Sequence, residues 1–298
     1  MAFLKKWFTA ARPFSFTAAI VPAVVGSLLS APDGFSLWKA AFAVLGSVAI
    51  LAGTNFVNDY YDDKKGADGA NLAARPGSIQ QGIATPRGVL IAGLVCFALG
   101  GALGLVLCAT TSWALLWIGV ASVLAGFLYT GAPFHLAYVG LGELVVFVFM
   151  GPIIVTGADF VQTEAWSWDP VLASLPIGFL VTAILHANNL RDIETDKLVG
   201  KRTIATLIGR KWANREMYLL ISLAFVSLAV VVALGVLPWP ALVALAALWF
   251  VPRIFKVVAS NPPPRKLNLA LFYSAQLHMR FGALMAAGLG AWWVIDSV

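Results

Sequence analysis

Charge is scarce in this chain, and cysteine is scarcer. Only 11% of its 298 residues are charged, whereas soluble domains carry about 25%, so a water-exposed globule is excluded. The two cysteines, Cys96 and Cys108, fall in one apolar stretch and are too far apart along a helix to bond each other. They read as small core residues rather than a disulfide framework. A cleavable leader is missing too. Lys5, Lys6 and Arg12 precede an apolar run that is too long for a signal peptide and lacks a small-residue cleavage site. No polar segment is long enough for a separate soluble domain, so residues 1–298 read as one membrane domain. The net charge of +6 needs no nucleic-acid partner, and no protein partner is inferable.

What is abundant is apolar: 60% of the residues are hydrophobic, the composition of a multi-span membrane protein whose solvent is the lipid bilayer. Apolar segments near 14–30, 37–57, 88–109, 113–130, 139–157, 171–190, 217–237, 238–255 and 279–295 each approach the ~20 residues that cross a bilayer as a helix. The fold expected is therefore an all-α integral membrane protein of nine transmembrane helices. A weak internal echo, in which a helix runs into an acidic cluster and then a basic loop with glycine, divides it into two four-helix halves plus a ninth helix. Gly100 and Gly104 read as a small-residue helix contact, the 260–266 stretch as a proline-stopped linker, and 157–170 as an outward solvated loop.

The basic residues test this topology. With the N-terminus inside, the inner segments collect nineteen of the twenty Lys and Arg residues, and only Lys39 falls outside. That bias fits the positive-inside rule for a multi-pass protein of the inner, cytoplasmic membrane with its C-terminus on the opposite side. Four spans separate the 58–87 loop from the 191–216 loop, so both reach the same face.

Those two loops hold the chemistry. Half of the 14 acidic residues lie in two short stretches, four of them in Asn58–Asp68 and three in Asn188–Asp196. Carboxylates beside a bilayer are costly unless they pair or hold a cation, which makes both clusters candidate functional sites. On a helix Asp59 and Asp62 share a face, as do Asn58 and Asp62; Asn188, Asp192 and Asp196 share another at steps of four. Gly66 permits a turn that brings Asp68 back toward the first group. Hard oxygen donors with open positions suit Mg²⁺, which is commonly shared between a few carboxylates and substrate phosphates. Lys64, Lys65, Arg75, Lys201 and Arg202 lie close in sequence and are suited to hold the same anion, although inner loops are basic in any case.

The run Asn58-Asp59-Tyr60-Tyr61-Asp62 with Lys65-Gly66-Ala67-Asp68 is similar to the first motif of the UbiA superfamily of intramembrane aromatic prenyltransferases. Asn188-Asn189-Leu190-Arg191-Asp192 through Asp196 to Gly200-Lys201-Arg202-Thr203 resembles its second. Together with Tyr129-Thr130-Gly131-Ala132-Pro133 and Tyr138-Val139-Gly140-Leu141-Gly142-Glu143, they look most like the branch that prenylates 1,4-dihydroxy-2-naphthoate in menaquinone synthesis. The chain departs from a Tyr-x-x-x-Lys element found in many relatives, because Pro133 stands where the lysine would be; His135 is a substitute to consider.

This resemblance implies a polyprenyl diphosphate donor, an aromatic acceptor, and two Mg²⁺ ions held by Asp59, Asp62 and Asp68 on one side and Asp192 and Asp196 on the other. The polyprenyl group would pass to the ring carbon bearing the carboxylate with loss of CO₂, giving demethylmenaquinone. Tyr129 is a candidate to face the allyl cation, or else an interfacial tyrosine. Glu143 would orient the acceptor or a base, or make a structural hydrogen bond. Arg12 would meet the acceptor carboxylate or the diphosphate, or anchor the helix at the interface. Asn188 and Asn189 offer amides, Gln81 lies near the phosphates or the acceptor, and His186 reads as a helix-interface residue. The same fold could serve 4-hydroxybenzoate, homogentisate or a chlorophyll-type ring. A cation-coupled transporter is a reading of another class, disfavoured because transporter sites lie near the midplane.

Overall fold

A computed structural model describes residues 7–31, 34–67, 73–74 and 77–296. Its regular elements are helical: α1 (Thr17–Leu29), entered through a 3-10 turn at Pro13–Ser15, α2 (Leu37–Lys64), α3 (Pro86–Thr110), α4 (Leu115–Leu128), α5 (Gly142–Thr163), α6 (Asp169–Leu198), α7 (Ile204–Ala233), α8 (Trp239–Ala259) and α9 (Pro264–Asp296). The sequence marks several boundaries. Pro86 opens α3, where the Thr85 hydroxyl accepts from the Gly88 amide at 3.2 Å, a side-chain cap for an amide the helix leaves unpaired. Thr203 and Thr206 close a reciprocal capping box at the start of α7.

Among the described residues, six helices are long and apolar enough to cross a membrane: α2, α3, α5, α6, α7 and α8. The expected nine spanning helices are thus corrected to about six. The α4 helix has 14 residues, about 21 Å at ~1.5 Å per residue, short of a hydrocarbon layer of about 30 Å. The α1 helix has 13 residues, and its apolar face is largely covered by protein. The α9 helix is long, but His278 and Arg280 interrupt its apolar stretch. Hydrophobic runs register burial in protein as readily as exposure to lipid, which is why counting them overshoots.

The division into two four-helix halves and a ninth goes with the span count, and its one broad crossing is α1, which packs on α5 as well as on α2 and α9, while α6 packs on α5 and α7 within the second half and on α9. In lipid there is little hydrophobic drive between helices, and close van der Waals contact over small residues takes its place. A Cβ on Gly53 would lie 3.0 Å from the Gly93 carbonyl, and one on Gly100 would lie 3.1 Å from that of Gly46; these glycines let α2 and α3 approach closely. Gly104, expected to share that contact, faces open space. The supposed outer loop at 157–170 is helical as far as Thr163, and Asp159 is buried, accepting from the Ser30 hydroxyl at 2.7 Å.

The two ends of the bundle differ chemically. At one end Lys39 pairs with Glu164 at 3.2 Å, Phe35 meets Trp293 at 5.6 Å between ring centroids, and Trp113, Trp166 and Trp168 are exposed. At the other, the C-terminal ends of α2, α4 and α6 meet the N-terminal ends of α5, α7 and α9 around a polar cavity. The site is built there.

Candidate active site

The cavity, about 280 Å³, is lined by Asp59 and Asp62 from α2, by Asp192 and Asp196 from α6, and by Lys201 from the loop that follows. Both acidic motifs thus face one space, as expected, although the count of four spans between them does not stand with so short an α4. Arg12, Asn58, Gln81, Tyr129, Asn188 and Asn189 line it as well. Asp68 and Arg75 lie outside the described residues. Lys64 and Arg202 are exposed and do not line the cavity; Arg202 instead uses its backbone amide, which donates to the Tyr138 carbonyl at 3.1 Å. Glu143 is buried behind the wall rather than in it.

The first motif is held from outside its own helix. The Asp59 carboxylate accepts from the Ser78 amide at 2.8 Å and from the Ser78 hydroxyl, with Arg12 at 3.7 Å from its other oxygen. Asp62 accepts from the Tyr138 hydroxyl at 2.6 Å. Gly66, at φ 73°, ends α2 in the left-handed region that glycine enters without strain, while the expected return of Asp68 lies outside the described residues. The second motif is held from within. Arg191 forms a bidentate pair with Asp192, both bonds at 2.6 Å, and also donates to Asn188 at 2.7 Å and to Asn268 at 2.8 Å. Lys201 lies 3.5 Å from Asp196.

Tyr138 joins the motifs. Its hydroxyl bonds Asp62, while Lys65 sits 3.7 Å and Lys201 5.5 Å from its ring centroid, cation–π geometry. Burial depresses the Lys65 ammonium below its usual range, Asp62 partly offsets this, and Lys201 adds to it. Burial also acts to lower Lys201, but Asp62, Asp196 and Asp192 outweigh it and hold that lysine above its ordinary value. Lys201 is therefore a fixed cation at neutral pH. His135 bonds the Thr130 carbonyl at 2.6 Å and does not line the cavity.

Among the described residues no three His, Cys, Asp or Glu side chains form a ready metal cage. The donors nevertheless fit a hard cation that keeps waters or substrate oxygens. Asn58 Oδ1, Asp59 Oδ1 and Asp196 Oδ2 are buried without a hydrogen-bond partner, which is costly for polar oxygens unless something binds them.

A second cavity, about 220 Å³ and mostly apolar, shares Arg12, Phe14, Asn58, Tyr129, Leu185, Asn188 and Leu271 with the polar one. Beyond it lies a third of about 520 Å³ among α2, α3, α4 and α5, sharing Ser47, Ile50, Ser122 and Ile154 with the second. A charged pocket thus leads into a long apolar channel.

The sequence profile of the UbiA prenyltransferase family matches residues 19–276. The chain belongs to that family. It is 34% identical over 93% of its length to the 1,4-dihydroxy-2-naphthoate octaprenyltransferase of Bacillus subtilis, covering 90% of that protein. With the enzyme of the same name from Mycobacterium tuberculosis it shares 37% identity over 70% of its length and 72% of the relative. Its fold is that of a UbiA homolog from Archaeoglobus fulgidus bound to DMAPP and Mg²⁺, at a TM-score of 0.62 and 18% identity over 96% of this chain and 99% of that one. It is thus a multi-pass membrane prenyltransferase.

The sequence reading gave no role to Ser78, Arg191 and Asn268, which line the cavity, or to Tyr138, which bonds Asp62 beside it. Ser78 and Tyr138 reach the first motif from distant loops, which no periodicity reports. Arg191 was in view, but neighbours on a helix do not usually face each other.

Proposed function

We propose that the chain transfers a polyprenyl group from polyprenyl diphosphate to 1,4-dihydroxy-2-naphthoate, with loss of CO₂, to give demethylmenaquinol, the reduced form of demethylmenaquinone. The observation that carries this reading is the joining of a carboxylate- and cation-lined pocket to an apolar channel at Asn58, Tyr129 and Asn188. Such a junction suits a substrate with a charged head and a long apolar tail. The names of the Bacillus and Mycobacterium relatives support the acceptor, and the ligands of the Archaeoglobus structure support the donor and the ion.

Asp59, Asp62, Asp68, Asp192 and Asp196, with Asn58, would hold Mg²⁺, two ions in this reading, which supply Lewis-acid neutralisation of the leaving diphosphate. Lys201, Lys65 and Arg12 stabilise the same charge as it develops. As the allylic C–O bond breaks, its electron pair leaves with diphosphate. Tyr129, at the junction of the two cavities, offers its ring to the allyl cation. The ring carbon bearing the carboxylate forms the new C–C bond, and departure of CO₂ returns an electron pair to the ring. The apolar channel takes the tail and keeps water from the cation. The end of the bundle with the acidic motifs, rich in Lys and Arg, faces the cytoplasm together with the N-terminus, and the Trp293 end faces away.

The test is turnover of the purified chain with Mg²⁺, a polyprenyl diphosphate and the naphthoate labelled in its carboxylate. Labelled CO₂ should appear in step with prenylated product. Prenylation of 4-hydroxybenzoate with its carboxylate retained, and none of the naphthoate, would reassign the acceptor.

A further inference from the structure

Behind the cavity wall lies a group of titratable side chains that the mechanism above leaves unused. His186 on α6 is fully buried, and its Nδ1 lies 3.5 Å from a Glu143 oxygen and 3.6 Å from a Glu216 oxygen. Its Nε2 lies 2.8 Å from the Ala213 carbonyl of α7. A carbonyl can only accept, so Nε2 carries a hydrogen. Nδ1 then faces Glu143 Oε1 and Glu216 Oε2, and among the described residues His186 Nδ1, Glu216 Oε2 and the second Glu143 oxygen, Oε2, have no hydrogen-bond partner. A neutral ring, itself fully buried, would aim a lone pair at two ionised acids, a costly arrangement. A proton on Nδ1 turns that repulsion into attraction on both sides.

The consequence reaches the cavity through two amides. Asn189 Nδ2 donates to Glu143 Oε1 at 2.7 Å, and an ionised carboxylate only accepts, so the NH₂ end of Asn189 is fixed toward Glu143. Its neighbour is fixed the other way: Asn188 Oδ1 accepts from Arg191 at 2.7 Å. Both asparagines line the polar cavity. Among the described residues, Asn189 is left with its carbonyl end uncommitted and Asn188 with its NH₂ end.

We propose that His186 is a positioning residue, an imidazolium clamped between Glu143 and Glu216 that keeps Glu143 ionised and so gives Asn188 and Asn189 opposed amide polarity, an adjacent donor and acceptor that select an aromatic ring bearing a hydroxyl beside a carboxylate. This rests on the acceptor reading above and adds to it the device that recognises the acceptor. Without the cation, Glu143 takes up a proton, its hold on the Asn189 amide is lost, and the wall no longer presents a fixed pair.

Two measurements test it. The chain has only three histidines, so nitrogen NMR of the full-length, histidine-labelled protein in lipid, with His135 and His278 removed in turn for assignment, reads the His186 ring directly. Both nitrogens should be protonated from neutral to mildly alkaline pH; an unprotonated His186 nitrogen overturns the proposal, whether or not the protein turns over. In the kinetic arm, His186→Gln should raise the naphthoate KM about tenfold, the scale of one buried hydrogen bond lost, while the donor KM stays within about twofold. Adding Glu143→Gln should restore most of the loss, because a neutral amide needs no cation yet still accepts from Asn189. Equal changes in both KM values, or no rescue, overturn the role assigned to His186. A wild-type chain inactive on every aromatic acid defeats the acceptor reading instead, and the NMR result still decides the imidazolium.

Discussion

The two acidic motifs look alike in sequence and are held in opposite ways. Asp59 and Asp62 rely on partners brought from elsewhere, Ser78 and Tyr138, whereas Asp192 is gripped by Arg191 from its own helix. The first motif ends α2 at a left-handed glycine; the second lies in the buried last turns of α6, where Leu190 and Ile193 are covered on all sides. The contrast assigns different work to the carboxylates. Both Asp192 oxygens are engaged by Arg191, while Asp59 and Asp196 each keep a buried oxygen without a hydrogen bond. Asp59 and Asp196 thus offer the proposed Mg²⁺ an oxygen with no other hydrogen bond, whereas Asp192 would reach it with oxygens that also hold Arg191.

The largest effects should fall on those two. Asp59→Asn and Asp196→Asn should each lower turnover by about 10²- to 10³-fold, the scale of losing one preorganised electrostatic group, with the protein still folded by size-exclusion chromatography. Chelation should do the same and Mg²⁺ should reverse it. If Asp192→Asn proves as damaging to Mg²⁺ dependence as Asp196→Asn, the division of labour within the second motif is wrong.

Next in size is the Arg191 clamp. Arg191→Gln leaves a buried carboxylate without its cation, a change that costs about 3–5 kcal/mol, so the melting temperature in detergent should fall together with activity. Arg191→Lys should recover only part, since an ammonium cannot repeat the bidentate pair. Unchanged melting in both variants would mean that the second motif is not internally held.

The division between what the chain reveals in sequence and what it does not follows the same line. Spacing on one helix placed Asn58, Asp59 and Asp62 together, and Asn188, Asp192 and Asp196 together, because the helical repeat is local. Nearness in sequence pointed to Lys201, and Arg12 stood as a candidate beside its reading as an interfacial anchor; both line the cavity. Spacing could not show that Glu143 sits behind the wall, since burial of a side chain at the start of α5 depends on α6 and α7. Nor could it show the span count, because the short α1 and α4 are as apolar as helices that cross. Asp159 misled for a related reason: an acid among polar neighbours reads as loop until Ser30 is seen to satisfy it.

Tyr138 tests the bridge between the motifs, with a smaller expected effect. Tyr138→Phe removes the hydroxyl from Asp62 but keeps the ring under Lys65 and Lys201, so turnover should fall about tenfold, the value of a hydrogen bond to a charged group. Tyr138→Leu removes the ring as well and should additionally raise the donor KM, because the two lysines lose the face that positions them. If Phe and Leu behave alike, the cation–π contacts hold nothing.

The smallest effect is expected at Ser78, and it isolates the outside support of the first motif. Ser78 meets the same Asp59 oxygen twice, through its amide at 2.8 Å and through its hydroxyl. Ser78→Ala deletes only the hydroxyl, and the amide continues to orient the carboxylate. The oxygen left open toward the cavity is untouched, so metal binding should survive with an Mg²⁺ requirement raised by a few-fold, about 0.5–1.5 kcal/mol for one hydrogen bond. Turnover at saturating Mg²⁺ should stay near wild type. A collapse of activity like that of Asp59→Asn would show that the hydroxyl, rather than the loop amide, sets the carboxylate, and that the first motif depends on a single outside contact.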